Sequence, residues 1–336
     1  MRSIASAVSL LAGLLLVTSA AADPLASQYR ANQQLDACQA ADRLADFLVE
    51  RQRPGAGGVG WAWRIGQDEL APNMAGLVSL ALLDAYAATG SLRHLRAAQR
   101  HADGQLLRPR AGLPYKPDIE VMVRLYGVFE DPAYRRAARQ QFERIRARSP
   151  RGADEVARIA AGRQGQPALL GYDAAQAIRA ALAVGERRYA FGLADAVLER
   201  RGDWFRPERD ARFALVSTAA LISALESLDA AHYRARLAPL RDWLAAAQAD
   251  SGAWHHNETQ PTAHAVLALL FAPRPAHREA ARRGLEWLRS TLLRAGGLAA
   301  FNDHMPEPFV GEVLSGVNAE ALMALSAACR LQRGTE

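Results

Sequence analysis

Three of the chain's eight histidines, His255, His256 and His264, fall within ten residues of one another. The run Trp254-His255-His256-Asn257-Glu258 sets two imidazoles and a carboxylate beside an indole. Imidazole titrates near neutrality, so His255, His256 and Glu258 are candidates for acid–base catalysis, with Trp254 as a ligand contact. An exposed polar turn would use the same residue types. The spacing does not match a helical zinc pattern and no cysteine is near, so no metal is expected. A second cluster, Phe301-Asn302-Asp303-His304, precedes Glu307, Phe309 and Glu312. Here Asp303 and His304 are the acid–base candidates, and Phe301 and Asn302 the ligand contacts. Trp61, Trp63 and Arg64, near Asp68 and Glu69, form a third cluster. Indoles in a polar segment must either pack or stack on a ligand such as a sugar ring. Tyr115-Lys116-Pro117-Asp118 and Tyr172-Asp173 complete the set. Tyr115, Asp118 and Asp173 are further catalytic candidates, and Lys116 and Tyr172 further contacts. Both aspartates could equally be charges that stabilise helix starts.

Elements of alternating character must position these groups. Apolar residues recur at three- and four-residue spacing in segments of helix length. Met74 to Ala88 is apolar on nearly all sides, and Ser91 to Leu106 is amphipathic. The pair repeats at 117–129 with 132–147, 172–184 with 187–201, 213–228 with 231–249, and 261–271 with 276–293. A last apolar helix, 316–331, needs the first mature helix, Ala26 to Arg51, as its partner. An all-round apolar helix is buried and a striped one covers it. The expectation is an all-α (α/α)6 toroid of about twelve helices in inner and outer layers.

The connections are unequal. Inner-to-outer links such as Thr89-Gly90 and Gly185-Glu186 are tight. The outer-to-inner links are long and hold the clusters above: 54–72, 107–115, 148–171, 202–212, 250–260 and 295–315. In an alternating ring all long links fall on one end. Long loops in a compact domain tend to carry function. They also lead into inner-helix N-termini, where free N–H groups favour anions.

Residues 1–22 read as a secretory signal: Arg2, an apolar run from Ile4 to Val17, then small residues to Ala22 before Asp23-Pro24. The run is shorter than the ~20 residues of a spanning helix, and no later segment looks apolar enough to span. Residues 23–336 then form one domain, periplasmic or secreted, with no stable membrane insertion after cleavage. Hydrophobic residues make up 50% of the chain and its net charge is +6, enough apolar matter for a large core. Its basic residues are arginines except Lys116, the only lysine, and they are interspersed with acids, which reads as a solvated surface. Nothing else suggests nucleic acid, and no nucleophile elbow, phosphate loop or dinucleotide fingerprint is present, so no cofactor is expected. Cys38 and Cys329 lie near the two ends of the mature chain. In an oxidising compartment they would form a disulfide that staples the ring shut.

The segment Gln248-Ala249-Asp250-Ser251-Gly252-Ala253-Trp254, followed by the Ala/Leu run Pro261 to Leu270, resembles the repeat of the terpenoid-cyclase and protein-prenyltransferase superfamily. Gly60-Trp61 before Pro72 to Leu83 is a weaker copy, and Gly112 to Tyr115 a weaker one still. The resemblance implies the α/α toroid. It implies no activity, because the Asp-rich acid motif and the Asp, Cys and His zinc set of those enzymes are both absent. The same ring serves secreted polysaccharide lyases and glycoside hydrolases. The leading expectation is an exported glycan-active enzyme with its cleft on the long-loop face, binding a polysaccharide or other small organic ligand. A non-catalytic binding or assembly protein and an isoprenoid-binding cyclase-like protein remain open beside it. Convergence of His255, His256, Asp118, Asp173 and Asp303 in one cleft would favour the enzyme.

Overall fold

Asp36 and Gln39 form a reciprocal cap, each side chain accepting from the other's backbone N–H at 2.7 and 2.9 Å, and so start a helix at Ala37. That cap divides the segment expected as one helix over 26–51 into α1 (Pro24–Gln33) and α2 (Ala37–Val49). The computed structural model describes residues 24–55, 58–107, 112, 114–300 and 311–334. Residues 1–22, read above as a secretory signal, lie outside the described residues, as does the cluster Phe301, Asn302, Asp303 and His304.

A short hairpin follows, β1 (Arg53–Gly55) paired antiparallel with β2 (Gly58–Gly60). Then come α3 (Ala75–Thr89), α4 (Leu92–Leu107), α5 (Lys116–Phe129) and α6 (Pro132–Arg146). The link expected as a loop over 148–171 contains α7 (Gly152–Gly162) and a single 3-10 turn, Pro167–Leu169. The remaining helices are α8 (Leu170–Ala183), α9 (Arg187–Glu199), α10 (Arg201–Trp204), α11 (Ala211–Ala246), α12 (Thr259–Leu269), α13 (Pro275–Ser290) and α14 (Ser315–Arg333).

Helix α11 is two limbs joined at Asp229, whose φ of −169° and ψ of 92° are extended. Arg241 of the second limb pairs with Glu226 of the first. A straight helix would hold residues fifteen apart at about 22 Å, so the limbs fold back as an inner–outer pair. By length and composition α11 could cross a membrane, contrary to the expectation that no later segment could. Its apolar window is mostly buried in the protein core, which accounts for its composition.

The inner layer runs α3, α5, α8, the first limb of α11, α12 and α14, each packed on the next, and α14 closes the circle against α3. Inner helices are buried on nearly every side: α14 is buried from Ser315 to Cys329 without interruption. Outer helices bury one stripe, as α6 does with Tyr134, Ala138, Phe142 and Ile145. Helix α2 covers α14, completing the last pair with the first. Cys38 of α2 is disulfide-bonded to Cys329 of α14, 291 residues away.

Candidate functional site in the ring lumen

The N-termini of all six inner helices surround a cavity of about 670 Å³. Its lining includes Met74 before α3 and Leu77 within it, Tyr115 before α5, Tyr172 and Asp173 of α8, Arg212 and Phe213 of α11, Gln260 of α12, and Glu320 of α14. Trp63, 45% exposed, stands at its wall. This is the end of the ring into which the long links lead.

Glu320 is the most constrained acid there, 2% exposed. Its Oε1 accepts from the Tyr172 hydroxyl at 2.9 Å and its Oε2 from Gln260 Nε2 at 2.8 Å. His264 Nε2 lies 3.0 Å from Oε1, an ion-pair distance when the imidazole is protonated. The His264 ring stands edge-on to Tyr172, centroids 5.6 Å apart. Burial, and then the Glu320 charge, push the Tyr172 phenol well above its usual range. Tyr172 therefore stays protonated and donates. Gln260 is oriented in turn by Arg212, whose Nη2 donates to its Oε1 at 3.2 Å. Arg212 Nε pairs with Glu258, which also holds His255 Nδ1 at 2.7 Å. A continuous polar chain thus joins the 254–258 turn to the lumen.

Asp173 is the second carboxylate of the cavity and accepts from Arg163 Nε at 2.6 Å and Nη2 at 3.1 Å. A side lobe of about 380 Å³ opens beside it, sharing Asn73, Tyr115, Arg163, Asp173 and Gln176 with the main cavity. The lobe lies between α5 and α7 and is lined further by Lys116, Glu155 and Arg158. Helix α7 reaches this position because Gly152 has no Cβ; one there would collide with the α9 backbone at Tyr189 and Leu193. Glu155, fully buried, accepts from Ser149 Oγ at 2.9 Å and from Arg158 at 2.8 and 2.5 Å. Burial works against its charge, but Arg158, Lys116 and Ser149 outweigh it and hold the Glu155 carboxyl below its usual range.

The residues singled out from the sequence divide. Tyr115, Lys116, Tyr172, Asp173 and Trp63 line one or both of these adjoining cavities. Trp61 and Trp254 do not: both are fully buried, and their indole N–H groups donate to Leu48 O and Leu244 O, each at 2.7 Å. They pack helices together, and the polar sequence around them is a turn surface laid over a buried indole. Asp118 is buried, with His101 Nε2 at 3.1 Å, and its carboxylate occupies the space over Gly76 where a Cβ would fall. Glu258 is buried in its pairs with Arg212 and His255, outside the cavity lining. Arg64 is held by Glu312 at 2.8 Å. His255 and His256 sit with Asn257 in a turn whose three successive φ values are 46°, 52° and 62°, and neither histidine lines a cavity described above. Left-handed conformation in three consecutive non-glycine residues is strained backbone, held here by the His255–Glu258 contact and by Ser251 Oγ donating to Asn257. Of the five groups expected to converge, Asp173 is in the cleft, His255, His256 and Asp118 are not, and Asp303 lies outside the described residues.

Sequence reasoning missed Glu320, Gln260, Arg212, Arg163, Glu155 and Arg158. Glu320 did leave a signal: it is a lone carboxylate in the otherwise uncharged inner-helix run Gly316 to Ala328. A buried acid in such a run needs partners or a task.

Replacing Trp254 with Ala should cost about 3–5 kcal/mol, the range for emptying a buried aromatic site. Denaturant unfolding checks it, and a loss under 1 kcal/mol would return Trp254 to the ligand-contact role.

No family model matches the chain, and no curated protein matches it by sequence. Its fold is shared with solved structures. A possible member of the GH105 family from Salmonella enterica superposes with a TM-score of 0.65 at 12% identity, covering 89% of this chain and 96% of that one. An inactive variant of an alpha-1,6-mannanase of Salegentibacter, in complex with alpha-1,6-mannotriose, gives 0.56 at 13% identity, covering 88% and 100%. A type II terpene cyclase from Scytonema, in complex with its substrate, gives 0.58 at 12% identity, covering 92% and 99%. The protein is an α/α toroid. At these identities the likeness carries the architecture alone.

Proposed function

We propose that the protein is an exported glycan-active enzyme, and that it hydrolyses its substrate in the lumen cleft. The observation that carries the reading is Glu320, buried among Tyr172, Gln260 and His264 in the same cavity as Asp173. Glycoside hydrolysis uses two carboxyl groups flanking one bond, one as acid and one as base or nucleophile. Among the described residues, Glu320 and Asp173 are the two acids of this cavity's lining. Trp63, Tyr115 and Phe213 offer faces on which a sugar ring can stack.

The charges speak against an isoprenoid: a hydrocarbon filling this cavity would strip water from Arg163, Asp173, Arg212 and Glu320. The convergent titratable groups speak against a purely binding role. A lyase needs an ionisable base; the Tyr172 phenol is pushed the wrong way, so a lyase would have to use Tyr115 or His264. Export is supported by the apolar N-terminal run and by the Cys38–Cys329 bond, which suits an oxidising compartment.

The test is a polysaccharide and oligosaccharide panel assayed for new reducing ends and, in parallel, for ultraviolet absorbance of unsaturated products. Hydrolysis predicts reducing ends without that absorbance. Absorbance would mean a lyase, and binding on a glycan array without turnover would mean a non-catalytic protein.

A further inference from the structure

We propose that the lobe between α5 and α7 is a subsite for an anionic group of the ligand, a carboxylate or a sulfate, with Lys116 as its principal contact. This rests on reading the adjoining cleft as a glycan site.

The lobe brings Lys116, Arg158 and Arg163 to face two carboxylates, Glu155 and Asp173. Those carboxylates are already engaged. Asp173 takes both of its bonds from Arg163, and Glu155 takes two from Arg158 and one from Ser149. Lys116 Nζ is left 3.5 Å from Glu155 Oε1, at the outer edge of hydrogen-bond reach. Two cations therefore share one carboxylate, and an ammonium with three donors faces a cavity wall. Burial is the largest influence on Lys116 and lowers its pKa, and Glu155 and Asp173 offset only part of that. An anionic oxygen entering the lobe would supply what the ammonium lacks. The positive end of α5, which begins at Lys116, adds to the same field. At about 380 Å³ the lobe falls within the span of small-ligand pockets, about 300–1,000 Å³. Because it shares Tyr115, Arg163 and Asp173 with the main cavity, one acidic unit could sit here while a neighbouring unit lies near Glu320.

Lys116 is the chain's only lysine, so acylation by a neutral reagent such as the N-hydroxysuccinimidyl ester of acetic acid reports on this lobe. Mass mapping of the Lys116 peptide separates it from the α-amine. The probes are galacturonate, inorganic sulfate and galactose, each at saturating concentration on the mature protein. Galacturonate or sulfate is expected to slow acylation tenfold or more, and galactose to leave it unchanged. Protection by galacturonate alone assigns a carboxylate, and protection by sulfate alone a sulfate. Lys116→Met should stay folded by circular dichroism and lose calorimetric binding of the protecting anion. Equal protection by galactose and galacturonate would overturn the anion subsite and leave the glycan reading standing. So would absence of protection in a protein that still turns over a glycan. Protection by the anions in a protein inert on every glycan would support the subsite and sink the hydrolase reading.

Discussion

On the hydrolase reading proposed above, Glu320→Gln is expected to lower kcat by about 10²–10⁴-fold, the usual contribution of a positioned acid or base. The change removes one charge and no volume. Tyr172 can still donate to the new carbonyl oxygen, so the phenol keeps its partner. The new amide nitrogen then faces Gln260 Nε2, a donor against a donor. Gln260 resists flipping because Arg212 holds its Oε1. The resulting stability loss is about 1–3 kcal/mol, that of one unsatisfied buried polar group. This is too small to unfold a domain of this size at ambient temperature. A kcat loss with little change in KM, in a protein that still melts cooperatively, identifies proton transfer at Glu320. Asp173→Asn should produce a loss of the same order, with the Arg163 contact kept in part. Wild-type kcat in Glu320→Gln would remove Glu320 from the reaction, whatever happens at Asp173.

The second large effect is on stability. The Cys38–Cys329 bond closes a loop of 291 residues, nearly the whole described chain. The chain-entropy model puts such a cross-link at about 6 kcal/mol, because it constrains the unfolded chain. At roughly 2–4 °C per kcal/mol for a domain of this size, the Cys38→Ser, Cys329→Ser double variant should melt about 12–24 °C lower than the oxidised protein. The bond joins the start of α2 to the end of α14, whereas Glu320 lies near the start of α14. Activity well below the melting transition should therefore survive its loss. Equal melting temperatures with and without reductant would show that the bond does not close the ring in solution.

The architecture was legible because it rests on composition averaged over whole helices. Alternation of apolar and striped segments fixes which helices are inner, and the unequal links fix which end of the ring carries long loops. Both survived local misreadings: the break at Asp36 and the helix inside 148–171 left the ring unchanged. The cleft residues were partly legible. Tyr115, Lys116, Tyr172 and Asp173 stand at inner-helix starts, where position alone brings a side chain to the correct end.

Which of those side chains enters the lumen is a matter of helix rotation, and there the sequence stops. Successive residues on a helix point about 100° apart. Lys116 and Asp118 are two positions apart; one faces the cleft lobe and the other packs on Gly76 and His101. Glu258 and Gln260 are likewise two apart, and the acid is buried against Arg212 while the amide reaches Glu320. By itself the sequence determined a helical ring, its layers, and the end at which polar groups gather, and it offered Cys38 and Cys329 as the pair that would staple the ring. Only the tertiary structure decided that Glu320 meets Tyr172, Gln260 and His264, because that meeting depends on the rotation of three helices, α8, α12 and α14, against one another, and packing sets it.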